Sequence, residues 1–154
     1  MHMGVTVETV NVRVKKLTDT ARLPLAGSAY SAGCDLFADT DESIIVRPHE
    51  SVFLHTGLAF EIPEGYFGAI YARSGMATKF GLRPCTCVSV IDSDYRGEVM
   101  IGIYNDSNDD QFIVPYERVA QMVIQPYLPV TFEAVKELSE TERGEGGFGS
   151  TGRR

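Results

Sequence analysis

The apolar residues of this chain fall in short runs that are separated by proline, glycine and acidic residues. Runs of this kind, bounded by turn signals, are typical of β-strands. The pattern predicts strands at 34–38, 44–46, 52–62, 66–72, 87–92, 98–104, 111–114, 119–127 and 130–135. Only residues 74–80 have helical character. So many short strands with so little helix indicate an all-β protein, an antiparallel sandwich or barrel.

The beginning of the chain is less regular. Valines alternate with other residues from position 5 to position 14, but the alternation shifts by one between Val7 and Val10. This shift predicts either a strand with a β-bulge or a loose segment followed by a strand. Residues 18–33 are rich in turn-forming residues and predict a loop.

Length, charge and cysteine content narrow the class of protein. A chain of 154 residues predicts one domain, and we expect no membrane association because no apolar run could cross a bilayer. A net charge of −7 argues against a protein that coats nucleic acid, although it permits a small anionic ligand. Three cysteines without a secretion signal predict reduced thiols and a cytoplasmic location. The pair Cys85 and Cys87 is a weak metal signal, since no second cluster accompanies it.

The stretch 88–97 has the most distinctive chemistry. A run of apolar residues leads directly into Asp92 and Asp94, which are followed by Tyr95, an arginine and a glycine. One interpretation is a hairpin turn between the strands predicted on either side, because Asp-Ser-Asp is favourable turn chemistry. The other is a functional carboxylate, since a strand that leaves the core holds the next side chain in a fixed direction. An ionised aspartate held in this way suits a general base.

The end of the chain differs in composition. Residues 143–152 contain five glycines, with serine, threonine and arginine among them. Such a segment is either a free tail or a loop that folds around phosphate groups through backbone N–H, hydroxyl and guanidinium donors. We therefore expect a β-barrel over residues 1–138 and a flexible glycine-rich arm over 139–154.

Five segments, taken together, resemble a known family. They lie at 32–36, 73–77, 90–97, 118–122 and 143–152. Their order and spacing are similar to the five motifs of the trimeric dUTPases. The resemblance implies a jelly-roll-like antiparallel barrel and a homotrimer whose active sites are shared between subunits. It also implies the hydrolysis of dUTP to dUMP and pyrophosphate, with Mg2+ on the triphosphate and no nucleic-acid partner.

The resemblance also implies roles for individual residues. Asp92 would activate the water that attacks the α-phosphorus, and Tyr95 would pack against the deoxyribose. The backbone around 86–91 would read uracil, which assigns Thr86, Val90 and Ile91 to the base site. The triphosphate would be bound by Arg73, Ser74, Gly75 and Gln121. Asp35 and Gln121 would reach the metal only through water.

The arm would close over the nucleotide. By the same resemblance, Phe148 would stack on uracil, and the phosphates would be held by Arg143, Gly149, Ser150 and Thr151. Some of these assignments leave alternatives. Arg73 could instead form an interface ion pair, and Arg118 could equally be a structural tie between motifs.

The sequence departs from the family pattern at a few positions. Ser89 stands where glycine is usual, and Thr86 where many bacterial relatives have asparagine. A serine that required a positive φ would be strained. Two other functions share these features: a dCTP deaminase of the same fold, and a trimeric binding module without turnover. The first would need a glutamate at the base pocket, and no carboxylate lies between residues 85 and 91.

Overall fold

The computed structural model describes residues 9–86 and 88–147, which contain eleven strands and one short helix joined by loops. In chain order the elements are β1 Arg13–Lys16, β2 Leu25–Ala26, β3 Cys34–Phe37, β4 Ile44–Val46, β5 Ser51–Glu61, β6 Tyr66–Tyr71, α1 Ser74–Phe80, β7 Leu82–Pro84, β8 Ser89–Ile91, β9 Glu98–Asn105, β10 Gln111–Ile113 and β11 Arg118–Pro126.

The strands form two larger antiparallel sheets and a small one. The first sheet has the order β1-β5-β9-β7, the second has the order β2-β3-β11-β6-β8, and β10 pairs with β4. Both large sheets contribute to a common core, in which Leu54, Leu58 and Ile103 of the first sheet and Leu36 and Ile70 of the second are almost completely buried. This arrangement confirms the predicted jelly-roll-like antiparallel fold.

Strand β9 shows why the sequence folds in this way. Its residues alternate, with Val99, Ile101 and Ile103 buried and Met100 exposed. Because successive side chains of a strand point to opposite faces, this alternation fixes which face of the sheet covers the core.

The helix has the predicted bounds, Ser74–Phe80, and is placed by β6. It is anchored by Met76, which is buried, while the Thr78 hydroxyl donates to the Ser74 carbonyl at 2.8 Å. Since β6 ends at Tyr71, the helix begins just beyond the end of this strand. Within the described residues, no helix is long and apolar enough to cross a membrane.

The predicted hairpin around 88–97 is wrong. Strand β8 pairs with β6 in the second sheet, whereas β9 pairs with β5 and β7 in the first. The turn therefore connects two sheets. Strands β8 and β9 each pair with other strands instead of with each other. The pairing of a strand depends more on the neighbours available in the fold than on the residues of the turn that follows it.

Other local predictions also need correction. The predicted strand at 130–135 is absent, and its Phe132 is 95% exposed. Strand β7 was missed because it contains Pro84, but β7 lies at a sheet edge, where proline costs no ladder hydrogen bond. The short β2 lies within the predicted loop. At the start, β1 begins at Arg13, and the valines at 5 and 7 lie outside the described residues.

Candidate active site

A row of residues across the second sheet brings three predicted site segments together. In the strand register, Gln121 of β11 lies opposite Asp35 of β3 on one side and Tyr71 of β6 on the other. Strand β6 then leads into Arg73 and Ser74. The segments 32–36, 73–77 and 118–122 thus meet at one end of this sheet because of strand pairing alone.

Asp35 lies at the centre of this cluster, between two arginines. Arg73 donates from Nε to Asp35 Oδ1 at 2.9 Å, and Arg118 from Nη1 to Oδ2 at 3.2 Å. Arg73 also donates to the Arg118 carbonyl at 3.1 Å. Both oxygens of Asp35 are therefore paired with arginine, and its side chain is only 14% exposed. Two guanidinium groups against one carboxylate leave a net positive charge, which suits a polyphosphate.

Gln121 reaches across to the segment that precedes Arg73. Its Nε2 donates to the Ala72 carbonyl at 2.9 Å. Its Oε1 lies against Gly33, where any Cβ would overlap it. A side chain at position 33 would therefore displace the Gln121 amide from this place. The amide fixes the start of the helix relative to β11.

Ser74 and Gly75 form the first turn of the helix beside this cluster. The Ser74 side chain is exposed, and a Cβ added at Gly75 would meet no atom within 4 Å. Both positions are thus open to a ligand that approaches the arginines.

Asp92 lies at the other end of the sheet, in the turn between β8 and β9. The Tyr95 N–H donates to the Asp92 carbonyl at 3.2 Å and closes the turn. Asp92 and Asp94 both line an open groove of about 840 Å³, along with Val90, Phe67 and Tyr127. The groove is also lined by Glu64 and Arg96, so the Asp92 carboxylate is accessible on a surface of mixed apolar and charged residues.

The Tyr95 ring folds back over the same turn. Its hydroxyl donates to the Glu98 carbonyl at 3.0 Å. A Cβ on Gly97 would lie 2.5 Å from the Tyr95 hydroxyl oxygen, so only glycine fits beneath the ring. The residue is 44% exposed, so it is accessible to a ligand.

The predicted base-reading segment is an edge strand. Ile91, Val90 and Ser89 pair with residues 68–70 of β6. Positive φ values at non-glycine residues occur, in the described part of the chain, at His49 and Tyr116, so Ser89 carries no such strain. The Ser89 hydroxyl instead hydrogen-bonds the Thr86 hydroxyl. Thr86 also lines a pocket of about 250 Å³.

One chain does not bring Asp92 to the phosphate cluster, which comprises Asp35, Arg73, Ser74 and Gln121, the residues to which the family resemblance assigns the phosphates and the metal. Ile91 is paired with Gly68, five residues before Arg73, because β6 and β8 are antiparallel. Asp92 continues the strand by one more residue, away from Arg73, so about six residues separate their positions; since a strand advances about 3.3 Å per residue, Asp92 and Arg73 lie roughly 20 Å apart along the sheet. The groove at Asp92 accordingly contains none of the four cluster residues Asp35, Arg73, Ser74 and Gln121.

The arm is described only as far as residue 147. Arg143 donates from Nε to the Gly146 carbonyl at 2.8 Å, and the Gly144 N–H donates to the Thr141 carbonyl at 3.1 Å. Arg143 is thus held by its own segment. Phe148, Gly149, Ser150 and Thr151 lie outside the described residues.

The sequence interpretation missed two charged residues that hold the turn. Glu98 accepts from the Gly57 N–H at 2.9 Å, and its other oxygen lies 2.9 Å from His55 Nδ1. Arg96 contacts several backbone carbonyls around the turn. The only signal in the sequence was that Arg96 and Glu98 follow Tyr95 within three residues, because their partners on β5 are distant along the chain.

The described residues contain no cluster of three or more histidine, cysteine, aspartate or glutamate side chains suited to a metal ion. With both Asp35 oxygens bound to arginine, direct ligation of a metal by this side chain would first have to break an ion pair.

Comparison with known proteins gives one consistent answer. A family model for dUTPase matches residues 19–152. The deoxyuridine 5'-triphosphate nucleotidohydrolase of Hydrogenobaculum sp. is 46% identical over 139 residues, which cover 90% of this chain and 96% of that protein.

Solved structures agree. A variant dUTPase of Staphylococcus bacteriophage 80alpha with dUpNHpp matches with a TM-score of 0.80 and 31% identity, covering 94% of this chain and 99% of that one. A variant dUTPase from phage phi11 of S. aureus, which coordinates a structural Mg(II) ion, matches with a TM-score of 0.75 and 26% identity, covering 84% and 99%.

Proposed function

The chain belongs to the dUTPase family, and on that premise we propose that it hydrolyses dUTP to dUMP and pyrophosphate. The observation that carries the proposal is the family match across residues 19–152, which contain all five motif segments. Hydrolysis is supported by a carboxylate that opens into a groove and a separate cluster with excess positive charge.

In this reaction Asp92 is the general base. It would take a proton from the water that attacks the α-phosphorus, and dUMP and pyrophosphate would leave as the products. The cluster of Arg73, Ser74 and Gln121 would hold the phosphates. Tyr95 would pack against the deoxyribose, where a 2′-hydroxyl would collide with the ring.

The base would be read by the edge strand and the segment before it. Backbone groups of 86–91 would pair with uracil. The Thr86–Ser89 hydrogen bond supports this assignment because it ties the start of the segment to the strand. A site with fixed polar groups rejects a base that leaves those groups unpaired.

We further propose that the active protein is a homotrimer with shared sites. The separation of Asp92 from the phosphate cluster supports sharing, since neither half is complete in one chain. The segment after β11 supports association: Leu128, Val130, Phe132, Val135 and Leu138 are all largely exposed. So much apolar surface is costly in water and is typical of an interface.

A divalent cation would enter with the substrate. The arginine-bound Asp35 fits a water-mediated contact with Mg2+ on the triphosphate better than direct ligation, because Mg2+ gives up its waters reluctantly. Bound there, Mg2+ would offset the negative charge that develops on the leaving pyrophosphate. We place the reaction in the cytoplasm, where Cys34 and Cys85, both unpaired in the structure, would stay reduced.

The direct test is a substrate panel. The protein is incubated with dUTP, dCTP, dTTP and UTP, each with Mg2+, and pyrophosphate and ammonia are measured. We expect pyrophosphate from dUTP alone. Ammonia from dCTP would indicate a deaminase, and no product from any nucleotide would indicate a binding module.

Deletion of the chain beyond Leu138 should leave a folded trimer that turns over dUTP poorly. We expect a loss of about one to two orders of magnitude, because stacking of an aromatic side chain on a base is worth about 1–3 kcal/mol. Turnover, thermal unfolding and trimer mass are measured together.

A second truncation, after Tyr127, is the matched comparison, because it also removes the exposed apolar segment. It should dissociate the trimer. If the shorter deletion unfolds the protein, the arm is structural and does not act as a lid.

A further inference from the structure

Arg96 makes an unusual set of contacts for an exposed arginine. Its Nη1 donates to the carbonyl of Ser93 at 2.6 Å, to that of Tyr95 at 3.2 Å and to that of Phe60 at 3.5 Å. Two of these carbonyls belong to the turn that carries Asp92, and the third belongs to β5. One guanidinium thus joins the turn to a strand of the other sheet.

The same side chain is anchored by charge. Arg96 Nη2 lies 3.9 Å from Glu61 at the end of β5, and Glu61 in turn pairs with Arg13 at 2.7 Å. Arg13 and Glu61 are directly opposite each other in the β1–β5 ladder. The backbone of Glu61 is therefore held by the β1–β5 ladder, and its carboxylate lies at a fixed place beside the Arg96 guanidinium.

The turn needs an anchor of this kind. Because β8 and β9 belong to different sheets, no ladder between them holds residues 92–97. The Tyr95–Asp92 hydrogen bond closes the turn, and Glu98 fixes its far end through Gly57. Between these points, the contacts of Arg96 hold the backbone that directs the Asp92 side chain.

We propose that Arg96 is a positioning residue, which holds the turn so that Asp92 points at the attacking water. The inference rests on the proposed function, in which Asp92 is the base. A general base works only within hydrogen-bond reach of its proton, and a displacement of about 1 Å can cost about 10²-fold in rate. The hydrogen bonds of Arg96 go to backbone carbonyls, whereas the arginines that flank Asp35 pair with its carboxylate. Arg96 also lines the groove at Asp92, so the measurement of KM must separate positioning from a contact with the substrate.

The test compares Arg96→Ala with Arg13→Ala. Both arginines pair with Glu61, but Arg13, which is 78% exposed, makes no hydrogen bond or ion pair to the described residues of the turn. For Arg96→Ala we expect kcat to fall by about 10²-fold while KM changes little. Arg13→Ala should keep both constants. Arg96→Lys should recover part of kcat, and added guanidinium should raise the kcat of Arg96→Ala.

A readout independent of turnover separates this proposal from the proposed function. Hydrogen exchange of the Tyr95 amide, which is bonded to the Asp92 carbonyl, should accelerate in Arg96→Ala and stay unchanged in Arg13→Ala. If the wild-type protein has no dUTP turnover, the proposed function fails, and the exchange rates still decide whether Arg96 holds the turn.

Four results would overturn the proposal. A rise in KM with kcat preserved would make Arg96 a substrate contact. An equal loss in Arg13→Ala, or a fall in kcat that only follows a fall in Tm or in trimer mass, would make its role one of general stability. Unchanged exchange at Tyr95 would show that the turn holds its shape without Arg96.

Discussion

Asp92→Asn should lower kcat for dUTP by about 10²–10⁴-fold, the usual contribution of a general base, and leave nucleotide affinity nearly unchanged. Asparagine has almost the same shape as aspartate and can occupy the same turn, so the variant removes the ability to accept a proton and little else. The measurements are steady-state turnover and, with the inactive variant, the direct binding of dUTP.

Asp94→Asn is the matched control for this prediction. Asp94 lies in the same turn and lines the same groove as Asp92, so it shares the local charge and exposure. The structure favours Asp92 because it directly follows the last residue of β8 and its carbonyl closes the turn. Comparable losses in both variants would indicate a shared electrostatic effect, and turnover unaffected by Asp92→Asn would remove it from the role of base.

The sequence predicted best what depends on local patterns. The helix at Ser74–Phe80 and the short strand at Ile44–Val46 have the predicted bounds. The all-β class followed from the same periodicity. In each of these cases a few neighbouring residues contain the whole physical cause, such as a hydrophobic period.

The errors concern pairing over long distances. The turn at 92–97 was expected to close a hairpin, yet its flanking strands go to different sheets. The segment 130–135 alternates as a strand does, but no neighbour in the chain pairs with it, and Phe132 is exposed. An alternating segment becomes a strand only when another strand supplies its hydrogen bonds, and nothing in its own sequence states where that partner is.

The site shows the same limit. The family pattern named Asp35, Arg73 and Arg118 separately, and left open whether the arginines bind substrate or act structurally. The structure places both arginines on Asp35, so a single carboxylate joins three motif segments. Arg96 and Glu98 could not be assigned from sequence at all, because Glu61, Gly57 and His55, which hold them, lie at least 35 residues earlier in the chain.

Two inactive variants should restore each other when they assemble together. Asp92→Asn removes the proposed base. Ser74→Asp places a carboxylate where phosphate would bind, at an exposed first-turn position that tolerates acidic residues. If each site takes Asp92 from one subunit and Ser74 from another, random mixing in equal amounts rebuilds about a quarter of the sites. If one chain holds a whole site, mixing rebuilds none.

A second mixture makes this result quantitative. Wild-type chains mixed equally with chains carrying both substitutions should retain about a quarter of the wild-type sites when sites are shared, and about half when each chain acts alone. Coexpression of the two chains in equal amounts, both carrying the same tag so that every trimer is recovered, followed by measurement of dUTP turnover, provides both mixtures. The roughly 20 Å that strand register sets between Asp92 and Arg73 leads us to expect the shared outcome. Retention of half the activity, with no rescue in the first mixture, would mean that the arm or a movement of the turn closes that distance within one chain.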